Sequence, residues 1–418
     1  MDEADELNEV LRRTHPAAYR CLSPLGLRAA FPRGIPFQAD EARHAKINAT
    51  IGQITDGSGH PMPVPALSDA TNLDPAAAFL YAPVDGPRPL RELWGARQRR
   101  LAGSPDTAIS LPFVTHGLTH SLSLVSDLFA DPDTDVLVPR PAWENYELLF
   151  EMHAGARVIR YRLFADGRFD EGDLEQALRS VRSKAILVLN FPSNPTGWTP
   201  SPAEAARLCA VVHAHPGPMV VVTDDAYQGW VYEPGLHPRS LFWDLAAGAD
   251  PDRLVVAKAD GATKELVFFS SRVAFLTHTA TGAAEPVMAS KLKYLVRGSV
   301  GPASGPALAL SERALRDPTL EHAIDERREL IGARYRTLRS ALGALDPERF
   351  RILPFNSAFF VFMELDGLDA EELRRSLLER WSVGTIAFPA ENAIRLAYCS
   401  IHNDRLPELV DAIVRASA

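Results

Sequence analysis

Seven short, continuous apolar runs recur between about residues 70 and 295, and they constrain the fold more than any other feature of the chain. They are Ala108 to Val114, Asp135 to Val138, Val158 to Tyr161, Ala185 to Asn190, Met219 to Asp224, Leu254 to Ala257 and Val273 to Thr277. Helix-like segments separate them; one, Pro202 to His215, is opened by Ser201 as N-cap. A strand that is apolar without alternation is buried on both faces. The pattern therefore predicts an α/β fold, a three-layer α/β/α arrangement with a mostly parallel sheet.

The flanking sequence has a different texture. Residues 1–45 read as an N-terminal arm. A short helix from Leu7 to Arg13 is followed by proline-marked sequence that either packs on a neighbour or ends loosely. Clustered Gly and Pro over residues 48–65 predict a turn-rich connection. After Pro302 a helical pattern runs from Ala309 towards Leu342, interrupted at Pro318. Strand-like Phe359 to Glu364, a helix from Asp369 to Arg380, strand-like Ala393 to Cys399 and a helix from Leu406 to Ala416 complete the chain. A length of 418 residues exceeds one compact core. The expected division is a large domain over 70–297 and a smaller α+β domain made from 46–69 with 298–418.

Composition excludes several function classes. A net charge of −9 argues against a nucleic-acid-binding surface. No apolar run reaches membrane-spanning length, and the acidic start (Met1 to Glu6) is unlike a targeting peptide. Cys21, Cys209 and Cys399 lack metal-ligand spacing, so no metal is expected. They read as free thiols of a cytoplasmic protein.

In open α/β sheets ligands bind beyond the carboxyl ends of the strands. Four such ends carry chemistry. After Asn190 comes F-P-S-N-P-T-G, where Asn194 and Pro195 set a turn that Gly197 releases. The run from Met219 delivers Asp224, Asp225 and Tyr227. The run from Leu254 leads to Lys264. The run from Ala108 delivers T-H-G-L-T-H before a helix starting near Ser121. A lysine between core strands loses its proton by desolvation and then serves as an amine nucleophile or Schiff-base former. Lys258 is the competing lysine; it merely ends the preceding strand. An amide, a carboxylate with a phenol, an amine and a Gly/Thr anion cradle suit one ligand, the phosphorylated pyridine aldehyde pyridoxal phosphate.

With these motifs, N-P-T-G at 194–197, D-x-A-Y at 224–227, Lys264, Arg272 and I-R-L-A-Y at 394–398, the chain resembles the fold type I, class I/II aminotransferases. The resemblance covers about residue 45 to the end. It implies that Lys264 binds the cofactor aldehyde and moves the substrate Cα proton, while Asp224 keeps the pyridine nitrogen protonated. Tyr227 and Asn194 would bond the phenolic oxygen, and Trp143 would stack on the ring. Tyr146 lies near the position that supports the aspartate. Gly117, Leu118, Thr119, Thr263 and Arg272 would hold the phosphate. Tyr81 would reach the phosphate in a neighbouring subunit of a homodimer. Arg395 would grip the substrate carboxylate, with Gly52 and Asn194 beside it. Arg297 lies close to the position that reads a distal carboxylate across the interface, with a solvated arginine as the alternative.

The segment also departs from the family. G-A-T-K replaces S-x-S-K, so Gly261 removes a phosphate ligand that Ser270 or Ser271 would have to replace. His116 and His120 stand where small residues are common and read as structural. Trp230, Phe359 and Phe360 offer an aromatic or large-substrate pocket. The resemblance implies amino transfer between an α-amino acid and a 2-oxo acid. The same cofactor run as a β/γ-eliminating or replacing enzyme, for example on S-adenosylmethionine, is the alternative. A ligand-sensing regulator on this fold would carry an N-terminal DNA-binding domain, for which some 45 residues leave no room.

Overall fold

The computed structural model describes residues 3–14, 16–29, 34–68 and 72–417; the boundary expected between 69 and 70 lies outside them. The central sheet contains β1 (Phe113–Thr115), β2 (Thr134–Arg140), β3 (Arg157–Arg162), β4 (Lys184–Leu189), β5 (Met219–Asp224), β6 (Leu254–Gly261) and β7 (Ala274–His278). Their spatial order is β1-β7-β6-β5-β4-β2-β3. The ladders joining β3, β2, β4, β5 and β6 are parallel. Strand β7 runs antiparallel to both β6 and β1.

Period-two alternation sends successive side chains to opposite faces. Leu137, Leu187, Val221 and Val256 meet the helices Glu171–Arg179, Pro202–Ala214 and Leu241–Ala247. Val136, Val188, Val222 and Ala257 meet Leu118–Phe129 and Ala284–Ser299 on the other side. Both faces are therefore covered, which is why these strands read as unbroken apolar runs. Each such valine or leucine contributes roughly 1.5–3 kcal/mol on burial. Ser201 caps its helix in a reciprocal capping box with Glu204.

Two strands differ from the sequence expectation. The Ala108 to Val114 run shortens to β1, because Pro112 has no N–H for the ladder, although Ser110 N still donates to His278 O at 2.8 Å. The Leu254 to Ala257 run extends to Gly261, so Lys258 lies inside β6 rather than ending a strand. Its ammonium is buried in ion pairs with Asp260 and with Asp225 at 3.4 Å, and that pairing lets a charged residue occupy a core strand.

A second, antiparallel sheet holds β8 (Phe350–Ile352), β9 (Phe360–Leu365), β10 (Ile386–Phe388) and β11 (Ala393–Ala397), in the order β8-β9-β11-β10. The helical pattern broken at Pro318 resolves into Gly305–Arg316 and Leu320–Ala341. The segment after the arm joins this sheet region: Ile47–Asn48 pairs in parallel with Val383–Gly384, and Ala397 N donates to Ala49 O at 2.7 Å.

Candidate functional site

The link between β6 and β7 decides the geometry of the site. A parallel return would need a crossover of a dozen or more residues, usually carrying a full helix. Residues 262–273 hold a single helical turn, Ala262–Glu265, and the chain comes back antiparallel. Ala274 then pairs with Gly261 on one side and Thr115 on the other. That register brings Arg272 past the ends of β6 and β1, with Lys264 at the end of β6 and Gly117 just beyond β1. Gly117 has φ +79, which favours glycine, and a Cβ there would displace the Arg272 guanidinium from its place against the loop. The helix Leu118–Phe129 begins at once rather than near Ser121, aiming its first N–H groups at the same point.

A chamber of about 330 Å³ lies where these ends meet the second sheet. Leu118, Thr119, Thr263 and Arg272 line one end, and Lys264, Asp224, Tyr227 and Trp143 line the middle. Arg395, Asn194 and Gly52 close the far side with Phe360. Arg395 stands in β11 opposite Phe362 and Ile386, and its guanidinium lies over the Phe360 ring at 4.4 Å. It donates to Asn194 Oδ1 at 3.0 Å and Thr50 O at 2.6 Å. Burial lowers it to about 10, so it stays a cation at neutral pH.

Asp224 is 3% exposed and accepts from Tyr146 Oη at 2.7 Å and Ala226 N at 3.2 Å. Burial raises its carboxyl above the ordinary range, and Tyr146 with the Lys264 charge opposes that rise. Burial also lowers Lys264 to about 8, against the pull of Asp224 and with help from Arg272. Its Nζ lies 5.1 Å from the centre of the Tyr227 ring. Asp225, the competing carboxylate, turns away to Lys258, and burial pushes it up to about 6.

Some expected residues lie elsewhere. Tyr81 is 95% exposed, and Arg297 is exposed on the helix Ala284–Ser299; neither lines this chamber. Trp230 and Phe359 pack behind Tyr227 as core, leaving Phe360 as the chamber wall of that trio. Ser270 and Ser271 do not replace a hydroxyl lost at Gly261: neither lines the chamber, and Ser271 Oγ accepts from Val273 N at 3.2 Å. A Cβ at Gly261 would sit 2.7 Å from Ala274 Cα and 2.8 Å from Val273 O, so β7 leaves no room for serine. His116 bonds Gly301 O at 3.1 Å, and burial lowers His120 to about 4, which keeps it neutral.

Sequence reasoning missed Asn190 as a site residue. Its Nδ2 donates to Asp224 O at 2.7 Å and its Oδ1 accepts from Asn194 N at 2.7 Å, tying two strand ends together. A polar residue closing an apolar strand was the available signal. Ile35, Thr50 and Gln53 also line the chamber, and no local pattern marks them.

The family model described as aminotransferase class I and II matches residues 44–413. A probable N-succinyldiaminopimelate aminotransferase from Mycobacterium tuberculosis is 29% identical over 47% of this chain and 50% of its own length. The chain thus spans about half the length of that relative. An aspartate aminotransferase from Pyrococcus horikoshii is 23% identical over 80% of this chain and 82% of its own. Among solved structures, a kynurenine aminotransferase from the same organism superposes with TM-score 0.80 at 18% identity, covering 96% of this chain and 97% of that one. Aspartate aminotransferase from Thermus thermophilus with maleate gives 0.74 at 20% identity, covering 94% and 99%. These likenesses establish the aspartate-aminotransferase-like fold, and the aminotransferase names do not favour elimination or replacement.

Proposed function

The chain belongs to the class I and II aminotransferase family, whose cofactor is pyridoxal phosphate, and from that premise we propose that it moves an amino group between an α-amino acid and a 2-oxo acid. One observation carries the reading. A lysine with its amine lowered to about 8 shares a chamber with a buried carboxylate and a buried guanidinium. The walls fit the cofactor. Thr263 Oγ1 and Arg395 Nε are buried without partners among the described residues, and Gly117 leaves the Arg272 guanidinium room at the helix start. A phosphate suits Gly117, Leu118, Thr119, Thr263 and Arg272, and an aromatic ring suits Trp143. When bound, the cofactor supplies an aldehyde for amines and an electron sink for the substrate Cα.

The chain supplies the rest. With the cofactor bound, Lys264 would be the amine that holds it and would move the Cα proton, a role its lowered proton affinity suits near neutral pH. Asp224, held by Tyr146 and drawn toward its charged form by Lys264, would stabilise a proton on the cofactor's ring nitrogen. Asn194 spends Oδ1 on Arg395, which leaves its amide for the phenolic oxygen beside Tyr227. Arg395 receives the substrate carboxylate, and Phe360 holds the guanidinium in place. Gly52 lies beside that group. Replacing Arg395 by Gln should raise KM for the amino acid about 100-fold while changing kcat less. Equal loss in kcat and unchanged KM would exclude this role.

The decisive experiment is a half-reaction. Holoenzyme given its amino acid without an acceptor should release one 2-oxo acid per site and leave the cofactor in its amine form. Repeated turnover to ammonia and 2-oxo acid would instead mark elimination.

We read residues 46–69 with 298–418 as the small domain and 70–297 as the large one, the chamber lying between them. A homodimer is supported by the consecutive exposed apolar side chains Phe79, Leu80 and Tyr81 at 85%, 68% and 95%, and by Tyr294 at 80%. Tyr81, and Arg297 on the helix of Tyr294, would then serve the neighbouring chamber. Light scattering should give twice the chain mass; a monomer would exclude it. Among the described residues no helix is long and apolar enough to cross a membrane. The unpaired Cys21, Cys209 and Cys399 support a cytoplasmic location, which fractionation would check.

A further inference from the structure

Behind the chamber runs a buried ionic network that the reaction does not use directly. Glu265, the residue after Lys264, is 3% exposed. Its Oε2 accepts from Arg97 Nη1 at 2.6 Å and from Gln98 Nε2 at 2.8 Å, and its Oε1 has no partner among the described residues. Arg97 continues to Glu321 at 2.9 Å, on the helix Leu320–Ala341. Gln98 Oε1 accepts from Lys258 Nζ at 3.2 Å, and Lys258 pairs with Asp260 and Asp225. Asp260 in turn accepts from Trp94 Nε1 at 3.0 Å. One network thus grips the chain neighbours of both Lys264 and Asp224 from the side away from the chamber.

We propose that Glu265, clamped by Arg97 and Gln98, is a positioning residue that fixes the turn Ala262–Glu265 and so sets where the Lys264 amine stands in the chamber. The inference rests on the reading of Lys264 given above. A single helical turn does not hold itself together, because nucleation fixes several residues for one hydrogen bond. This one also lacks a side-chain cap at Gly261. It is followed by Val267 at φ 54, a β-branched residue in the left-handed region, which persists only where surrounding contacts impose it. From outside the turn, the helix Arg88–Leu101 supplies Arg97 and Gln98, which take Glu265 at one end of it. Successive helical residues point about 100° apart. With Glu265 locked outward, Lys264 faces Asp224, Tyr227 and Arg272.

Two substitutions separate positioning from charge. Glu265→Gln keeps an oxygen where Arg97 and Gln98 donate and removes only the charge; Glu265→Leu removes both bonds. The readout is the pH midpoint of the visible absorbance of the bound cofactor in holoenzyme, followed beside kcat and thermal stability. Glu265→Leu should move that midpoint by about 0.5 or more and lower kcat about tenfold or more. Glu265→Gln should hold both near the parent. A folded, cofactor-loaded Glu265→Leu enzyme with the parental midpoint overturns the proposal. So does an equal displacement in Glu265→Gln, which would assign the effect to the buried charge. If Glu265→Leu does not fold, Arg97→Gln loosens the same clamp, and an unmoved midpoint there overturns it as well. A parent whose absorbance is pH-independent, or keeps its pH dependence in Lys264→Ala, sinks the reading of Lys264 and this inference with it.

Discussion

Lys264→Ala should lower turnover about 10³-fold or more while the protein stays folded and still binds cofactor non-covalently. Lys264 is the one lysine that lines the chamber among the described residues, so no other ammonium can take its place there. Its side chain packs against the Tyr227 ring and makes no ion pair within 4 Å among the described residues, so its removal disturbs little of the fold. The proposed phosphate cradle of Gly117, Thr119, Thr263 and Arg272 would remain, which is why binding should survive. Two measurements check this: stopped-flow absorbance with amino acid, which should show no half-reaction, and equilibrium dialysis of cofactor. The pH dependence of the parent belongs to the same argument. A lysine lowered to about 8 is an ammonium below that pH and a free amine above it. Capture of a carbonyl by the apoprotein should therefore quicken as pH rises and level off above about 8, and fall away as pH drops. Full turnover in Lys264→Ala, or capture that first quickens near the ordinary lysine range, would remove Lys264 from the mechanism.

Asp224→Asn is the second large effect, about 10²–10³-fold in kcat. The asparagine keeps its one acceptor oxygen for Ala226 N, and its amide N–H can donate to Tyr146 Oη with that bond reversed, so the site should retain its shape. What disappears is a carboxylate able to carry negative charge in a water-poor position, where such a charge acts most strongly on a nearby proton. The ring nitrogen facing it would lose its proton and the cofactor its capacity to take up electrons. Loss should appear in kcat, with KM and thermal stability near the parent, because the interaction strengthens as charge develops on the ring. If kcat were unchanged while KM rose, Asp224 would be a substrate ligand instead.

Much of this could be read from the chain before folding. The seven apolar runs gave a mostly parallel sheet because burial on both faces removes alternation, and the sheet is covered on both faces. Two strand limits were misread for physical reasons: Pro112 interrupts one, and the ion pairs of Lys258 hide charges inside another. A hydropathy reading treats a charge as exposed; only a partner brought from elsewhere in the chain makes it a core residue.

What the sequence determined by itself was therefore the class of fold, the strand ends that carry chemistry, and the residue types at those ends, since these depend on local spacing and period. The tertiary structure decided what holds Asp224, the carboxylate that the D-x-A-Y register favours over Asp225, at the chamber. Asp224 meets Tyr146 from 78 residues away, while Asp225 turns to Lys258. It also decided that Gly261 has no room for the serine whose hydroxyl would be expected there, because β7 returns antiparallel against it. And it decided that Glu265, the neighbour of Lys264, is held from behind by Arg97 and Gln98, more than 160 residues earlier. Each of these depends on which distant groups arrive beside a residue, and pairing across the fold is not written in the spacing along the chain.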